Sequence, residues 1–386
     1  MKLNIRALTL SYLPVLIARI GSGANTFLIS YLAPGSNIAV GFILASYPFV
    51  EAASSFVAGH ITDRVGRRVT MILGYSWILT FTALVYLTIV ITGSPTLTGV
   101  INGLMGFGAA LILVSSLTMI TDLTELGHRG LGMGVFDFIN ILGYALGYMT
   151  GAVLYQITGN ASSFIALLAL MVTLYAVVVK YIIETKPRVS GKVYLNPLKG
   201  VSRRVIPTLP LWFSITTILG AAIYAGRAMG RVEGVLPIHV GALILGAVTI
   251  VGLGSVFFGH LSDRFGRWRL ITIGLLGVVM GLVTLATLLI ININPIITVL
   301  AASPFIFMAS ALVPTILALT GDESLVTMRG TSMGLYSLVL GVGMGLGNIL
   351  SGYFYTKMGL GGIAVLALVV FLTALVLYAV LRAVIK

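Results

Sequence analysis

The sequence predicts an all-α membrane protein with twelve transmembrane helices in two pseudo-symmetric six-helix bundles. Three observations carry that prediction. The 386 residues are 58% hydrophobic and only 9% charged, with a mean hydropathy of +1.10, whereas soluble domains carry about 25% charged residues. Apolar runs of eighteen or more residues recur along the chain, each long enough to cross a hydrocarbon core. Finally, the chain repeats itself: G-H-I-T-D-R-V-G-R-R from Gly59 to Arg68 returns as G-H-L-S-D-R-F-G-R from Gly259 to Arg267, an offset of 200. A second block keeps the same offset, with Arg129, Gly130, Met133 and Gly134 answered by Arg329, Gly330, Met333 and Gly334. Its tail matches too, Gly143, Gly147, Tyr155 and Gly159 against Gly343, Gly347, Tyr355 and Gly359. Two blocks in one register mark a duplicated half.

Backbone polar groups in lipid must bond within their own segment, so the apolar runs are expected to be helices. The ten-residue alternation of a membrane barrel is absent. The expected spans are 8–32, 38–61, 69–91, 97–120, 130–156 and 162–183, then 208–229, 235–258, 270–291, 296–319, 330–355 and 361–383. Residues 1–183 form the expected N-terminal bundle, 184–207 a basic linker, and 208–386 the C-terminal bundle. The linker holds Lys186, Arg188, Lys192, Lys199, Arg203 and Arg204 with Pro187, Pro197 and Pro207, a composition suited to a surface connection. The first thirty residues lack a small-x-small cleavage site and are read as the first membrane helix.

Charge fixes the expected topology. Of the 23 Lys and Arg, all but Arg19, Arg227, Arg231 and Lys357 fall in one alternate set of connections and the termini. By the positive-inside rule that set is cytoplasmic, so both termini are expected in the cytoplasm of a plasma-membrane protein. The same distribution makes the +13 net charge topogenic and argues against a nucleic-acid partner. With no cysteine, thiolate metal sites and thiol nucleophiles are ruled out. No cofactor or metal is expected, and no His, Cys or acid cluster has catalytic spacing, which argues against an enzyme.

Six plus six helices, a basic central connection and G-x-x-x-D-R-x-G-R-R between spans two and three resemble the major facilitator superfamily. That family's pattern has Leu where Ile61 stands here; the second copy keeps Leu261 but has Trp268 at the second basic position. The resemblance covers the whole chain and implies alternating access by a monomer, without a hydrolytic motor; no phosphate-binding loop is present. Gly59 is expected to allow close helix approach and Gly66 a tight turn. Asp63 among Arg64, Arg67 and Arg68 is expected to bridge to Arg129, or to the start of span eleven. With Asp263, Arg264, Arg267 and Arg329 in the second copy, this makes a conformational latch, extended by Asp122, Glu125, Asp322 and Glu323.

Charges within spans are costly and mark function. Arg19, Glu51 and Asp137 lie at depths of about 16, 15 and 10 Å by the helix rise, all in the first half. Each shares a helix stripe with polar groups: Arg19 with Ser22, Gly23, Thr26 and Ser30; Glu51 with Tyr47, Ser54 and Ser55; Asp137 with Asn140, Tyr144, Tyr148 and Tyr155. Proton coupling is expected at one acid, Asp137 ahead of Glu51; the alternative is a permanent structural pair with Arg19. Arg227, near Tyr224 and Arg231, is expected to snorkel to the interface or pair with Glu233; the alternative is that it draws an anionic solute from outside. Asn348 is a candidate for the second half of the cavity.

The resemblance to drug/proton antiporters is loose. Their fourth-helix Arg and Gln are replaced by Asn102 and Met105, and Tyr148 stands at the Pro of their fifth-helix pattern. The reading is therefore a proton-coupled secondary transporter of small amphipathic organic solutes across the lipid bilayer, with export as the direction. Uptake or exchange of an organic anion bound at Arg19 is the rival, and a non-transporting receptor or scaffold is the alternative of another class.

Overall fold

The protein is described by a computed structural model covering residues 5–123, 129–185, 203, 205–322 and 329–384. Its helices are α1 (Ile5–Leu32), α2 (Asn37–Val65), α3 (Arg67–Leu87), α4 (Pro95–Leu123), α5 (Arg129–Thr158), α6 (Ser163–Val178), α7 (Leu209–Met229), α8 (Pro237–Phe265), α9 (Arg267–Ile290), α10 (Pro295–Ala309), α11 (Leu312–Asp322) and α12 (Arg329–Val384). Among the described residues, 11 helical stretches are long and apolar enough to cross a membrane. The last of them, Leu338–Val384, is 47 residues long, two spans in length. Gly359 breaks it at φ 62 and ψ −150, so the chain is a multi-pass protein of twelve spans. Spans one to nine are α1–α9, span ten is α10 with α11, and spans eleven and twelve are the two arms of α12.

Local chemistry sets the breaks. The Ser36 side chain accepts from Ala39 N at the start of α2, and Asn294 accepts from Ile296 N at the start of α10, where Pro295 needs no donor. Span ten, expected as one helix, is interrupted between α10 and α11. Pro314 has no N–H to give the carbonyl four residues back, so the ladder fails at Ser310. The backbone instead closes with bonds from Ser310 N to Ile306 O and from Ala311 N to Met308 O.

By contact the chain divides into two units: residues 1–191 with 233–245, and residues 192–232 with 246–386. In the first, α1 packs along α5, α2 along α4, and α3 against α4. In the second, α7 packs along α12 and α9 against α10. The α1–α5 and α7–α12 pairs approach at backbone distance. A Cβ at Gly147 would strike the Ile20 carbonyl, and one at Gly347 the Thr217 carbonyl. Such small-residue seams let membrane helices gain dispersion contacts where no hydrophobic force drives them together.

Candidate coupling and substrate sites

In the first unit the glycine seam draws α5 onto α1 and brings polar stripes together. Gly143 sits against the Cβ of Arg19 and the Leu16 carbonyl. This places Asn140, one turn earlier on α5, where its Oδ1 accepts from Arg19 Nε at 2.5 Å. From α2, Glu51 Oε1 lies 2.7 Å from Arg19 Nη2, with the side chains 13% and 11% exposed. The ion pair joins α1 to α2, and the Asn140 hydrogen bond adds α5. Around it, Tyr47 donates to Ser22 Oγ at 3.0 Å, and Thr26 and Tyr144 share a hydrogen bond of 2.6 Å. A buried pair gains little net stability, but removing one partner strands a charge at a cost of about 3–5 kcal/mol.

Asn102 serves a different end. Its Nδ2 donates to the Ile43 carbonyl at 2.6 Å and to Ser46 Oγ at 3.3 Å, tying α4 to α2. Behind it, Asn25 donates to Thr82 Oγ1 at 2.8 Å, a buried contact between α1 and α3 that no motif announced. The side chains of Asp137, Arg129, Asp263 and Arg329 lie outside the described residues, as do those of Asp322 and Glu323, and Glu125.

The loop between α2 and α3 turns on Gly66 at φ 102. Its buried charge is Arg67, 2% exposed. Arg67 Nε lies 3.1 Å from Asp122 Oδ2, and Nη1 lies 3.8 Å from Asp63, which is 41% exposed. Asp63 therefore flanks the network that Arg67 centres. Asp122 also accepts from Thr185 Oγ1 at 2.8 Å. Glu184 completes the arrangement: its two oxygens accept from Arg67 N at 2.9 Å and Arg68 N at 3.0 Å. A carboxylate on free N–H groups at a helix start meets both the hydrogen-bonding need and the dipole. Arg64 is exposed. Gly59 has ordinary room: a Cβ there would meet Val114 at 3.8 Å, so helix approach at this point does not demand glycine. Glu184 escaped the sequence reading because capping leaves no periodic signature. The available signal was its isolation, as the one acid between Asp137 and Glu233.

In the second unit, Arg267 Nη1 donates to Ser262 Oγ at 2.5 Å, Arg264 is exposed, and Arg382 stacks over the Trp268 ring at 4.4 Å. Arg227 is buried at 3% exposure and Tyr224 at 0%. Their electrostatic neighbours are Arg231 and Tyr355, and the Tyr224 and Tyr355 rings are 6.1 Å apart. Asn348 is buried on α12, its Nδ2 donating to the Met344 carbonyl at 3.0 Å.

Twelve spans, a duplicated charged loop and an ion pair between α1 and α2 to which Asn140 of α5 is bound define a polytopic membrane protein built of two repeated halves. The chain belongs to the Major Facilitator Superfamily, whose profile matches residues 12–300 and 234–385. The rat chromaffin granule amine transporter is 26% identical over 261 residues, covering 63% of this chain and 46% of that protein; the match spans about half the relative's length. Multidrug resistance protein 2 of Bacillus subtilis is 25% identical over 329 residues, covering 81% of this chain and 78% of that one. The fold matches the crystal structure of the human organic anion transporter MFSD10 with a TM-score of 0.70 at 15% identity, covering 97% of this chain and 99% of the other. The family is one of transporters.

Proposed function

We propose that this protein is a monomeric secondary transporter that works by alternating access and exports small amphipathic organic solutes in exchange for protons. The observation that carries the reading is the Arg19–Glu51 pair with Asn140. Protonating Glu51 removes the charge that holds α2 to α1, while Asn140, whose amide does not titrate, keeps α5 attached to Arg19. A proton thereby changes which helices are tied together, which is the coupling an antiporter needs. Glu51 takes the leading role because it faces Arg19 directly; Asp137, three residues before Asn140 on α5, is the second candidate. The amine and multidrug transporters among its relatives support an organic solute. An anion at Arg19 would have to displace Glu51, so the structure favours coupling over anion binding there. The basic connections support cytoplasmic termini in a plasma membrane, and Arg67 with Asp122 and Glu184 forms the first half of the conformational latch.

The test uses purified protein in liposomes with a pH-sensitive dye inside and imposed gradients of organic amines and carboxylates. Solute-driven proton movement is expected in the wild type and should vanish in Glu51→Gln, while solute exchange persists. Proton movement that survives in both Glu51→Gln and Asp137→Asn contradicts the coupling role.

A further inference from the structure

A guanidinium has five N–H groups, and the coupling cluster engages three of those on Arg19. Nε donates to Asn140, Nη1 to Glu51 Oε2 at 3.4 Å and Nη2 to Glu51 Oε1 at 2.7 Å. One N–H on each terminal nitrogen is left over. Arg19 is 9% exposed, and a buried donor without an acceptor costs more when it carries charge. Protonation sharpens the need. A neutral Glu51 keeps one bare oxygen and turns the other into a donor, so Arg19 then has a third N–H to place.

Arg19 also walls a cavity. With Val15, Ala18 and Ser22 of α1 it faces Ile78 of α3 and Ala109, Ile112 and Leu113 of α4. The cavity gives a water-sized sphere about 10 Å³, room for one molecule. Its α3 and α4 walls bring no charge. Beside Arg19, Ser22 Oγ donates to the Ala18 carbonyl at 3.1 Å and accepts from Tyr47 at 3.0 Å. A hydroxyl oxygen has two lone pairs, so Ser22 can accept once more.

A second observation lies one turn further along the same three helices. Asn25 of α1 donates to Thr82 of α3 at 2.8 Å, and Thr82 donates to Met105 Sδ of α4 at 3.6 Å. Asn25 is 0% exposed, and its Oδ1 has no hydrogen-bond partner among the described residues. Buried polar atoms of this kind are rare and are usually met by ordered water. The junction of α1, α3 and α4 therefore offers donors at Arg19 and acceptors at Ser22 and Asn25. A halide could accept there but not donate, and a metal cation would meet the guanidinium charge. Water does both and fits the space.

We infer that the cavity is a water-binding site of the coupling centre: one water molecule accepts from Arg19 and donates to Ser22, so that the guanidinium keeps an acceptor when a proton neutralises Glu51. The water is neither split nor charged, and the proton stays on Glu51. Among the described residues, the other titratable groups at the ion pair are Tyr47 of α2 and Tyr144 of α5. The inference rests on the proposed proton coupling for its role in transport, while water binding is read without transport.

The experiment compares Ala109→Thr with Ala109→Val in purified full-length protein, by thermal unfolding in detergent and by solute-driven proton movement in liposomes. The two side chains have one shape and differ by a hydroxyl. At a water site the Thr hydroxyl supplies the acceptor that the displaced water gave, so Ala109→Thr should unfold at the higher temperature. In a cavity that holds no water the order reverses, because Val packs there and Thr buries a hydroxyl. The gap should widen when each is combined with Glu51→Gln, whose amide puts a donor where the protonated acid has one. In liposomes Ala109→Val should move protons about tenfold more slowly than Ala109→Thr, as expected for losing one hydrogen bond to a charged group. Should neither variant be monodisperse, Ala109→Ser against Ala109→Cys makes the same comparison with a smaller side chain. Val unfolding at or above the temperature of Thr overturns the site. A Thr advantage that Glu51→Gln leaves unchanged overturns its link to the proton. A wild type that moves no protons contradicts the coupling reading and leaves the unfolding order to decide the site.

Discussion

The two copies of the D-R-x-G-R loop share a backbone and differ in what they hold. Gly66 and Gly266 take φ of 102 and 89, and each separates two membrane helices. Around Gly66, Arg67 is buried against Asp122, and Glu184 fills the space beside the glycine, 2.8 Å from where a Cβ would stand. A Cβ at Gly266 would meet nothing within 4 Å among the described residues. The residue 200 positions after Glu184 is Val384, and the basic partner at Arg68 has become Trp268, covered by Arg382. Within the spans the pattern recurs: Arg19, Glu51 and Asn140 are answered by Leu219, Val251 and Leu340. Duplication has kept the glycines that set helix geometry and redistributed the charges that set chemistry. Geometry is shared because both halves must solve the same packing problem; charge is not, because a buried ion is expensive and is kept only where something else compensates it.

Predictions that sharpen this contrast run from large effects to small. Replacing a shared packing glycine should cost the most and cost both halves alike. Gly147→Val and Gly347→Val each drive a side chain into a neighbouring backbone carbonyl, and neither should give monodisperse protein on size exclusion. Next comes Arg67, the buried cation of the first half's loop. Arg67→Ala should lose about 3–5 kcal/mol by stranding Asp122, read by thermal unfolding in detergent. Smaller again, Glu184→Ala should cost about 1 kcal/mol as a lost helix cap. Smallest, Trp268→Ala should cost about 0.5–1 kcal/mol for its cation–π contact with Arg382. A loss at Arg67 no larger than that at Glu184 would contradict the central place given to its ion pair with Asp122.

Much of this was legible in the sequence, and the reasons are physical. Membrane spans declare themselves through long apolar runs, and duplication through matched glycines, because lipid constrains every residue of a span and helix contact constrains every seam. The break in span ten is marked in the sequence only by Pro304 and Pro314, since a missing N–H shows where a ladder is weak but not whether neighbouring bonds repair it. The polar stripes carrying Arg19, Glu51 and Asn140 were visible by periodicity, while the pairing across α1, α2 and α5 depended on how closely Gly143 and Gly147 bring two helices. Glu184 was invisible for the opposite reason: a carboxylate that caps backbone N–H groups from a distant connection belongs to no periodic pattern. Asn102, singled out as a departure from the antiporter pattern, proves to bind the α2 backbone, a role set by geometry and not by residue type.

The central claim is that proton coupling resides in the charged cluster of the first half, which the second half lacks. The most direct measurement gives the first half the second half's residues. Glu51→Val alone should destabilise the protein by stranding Arg19. The double variant Arg19→Leu with Glu51→Val should recover stability and exchange its solute in liposomes, yet move no protons under a solute gradient. A double variant that still moves protons in step with solute would contradict the account.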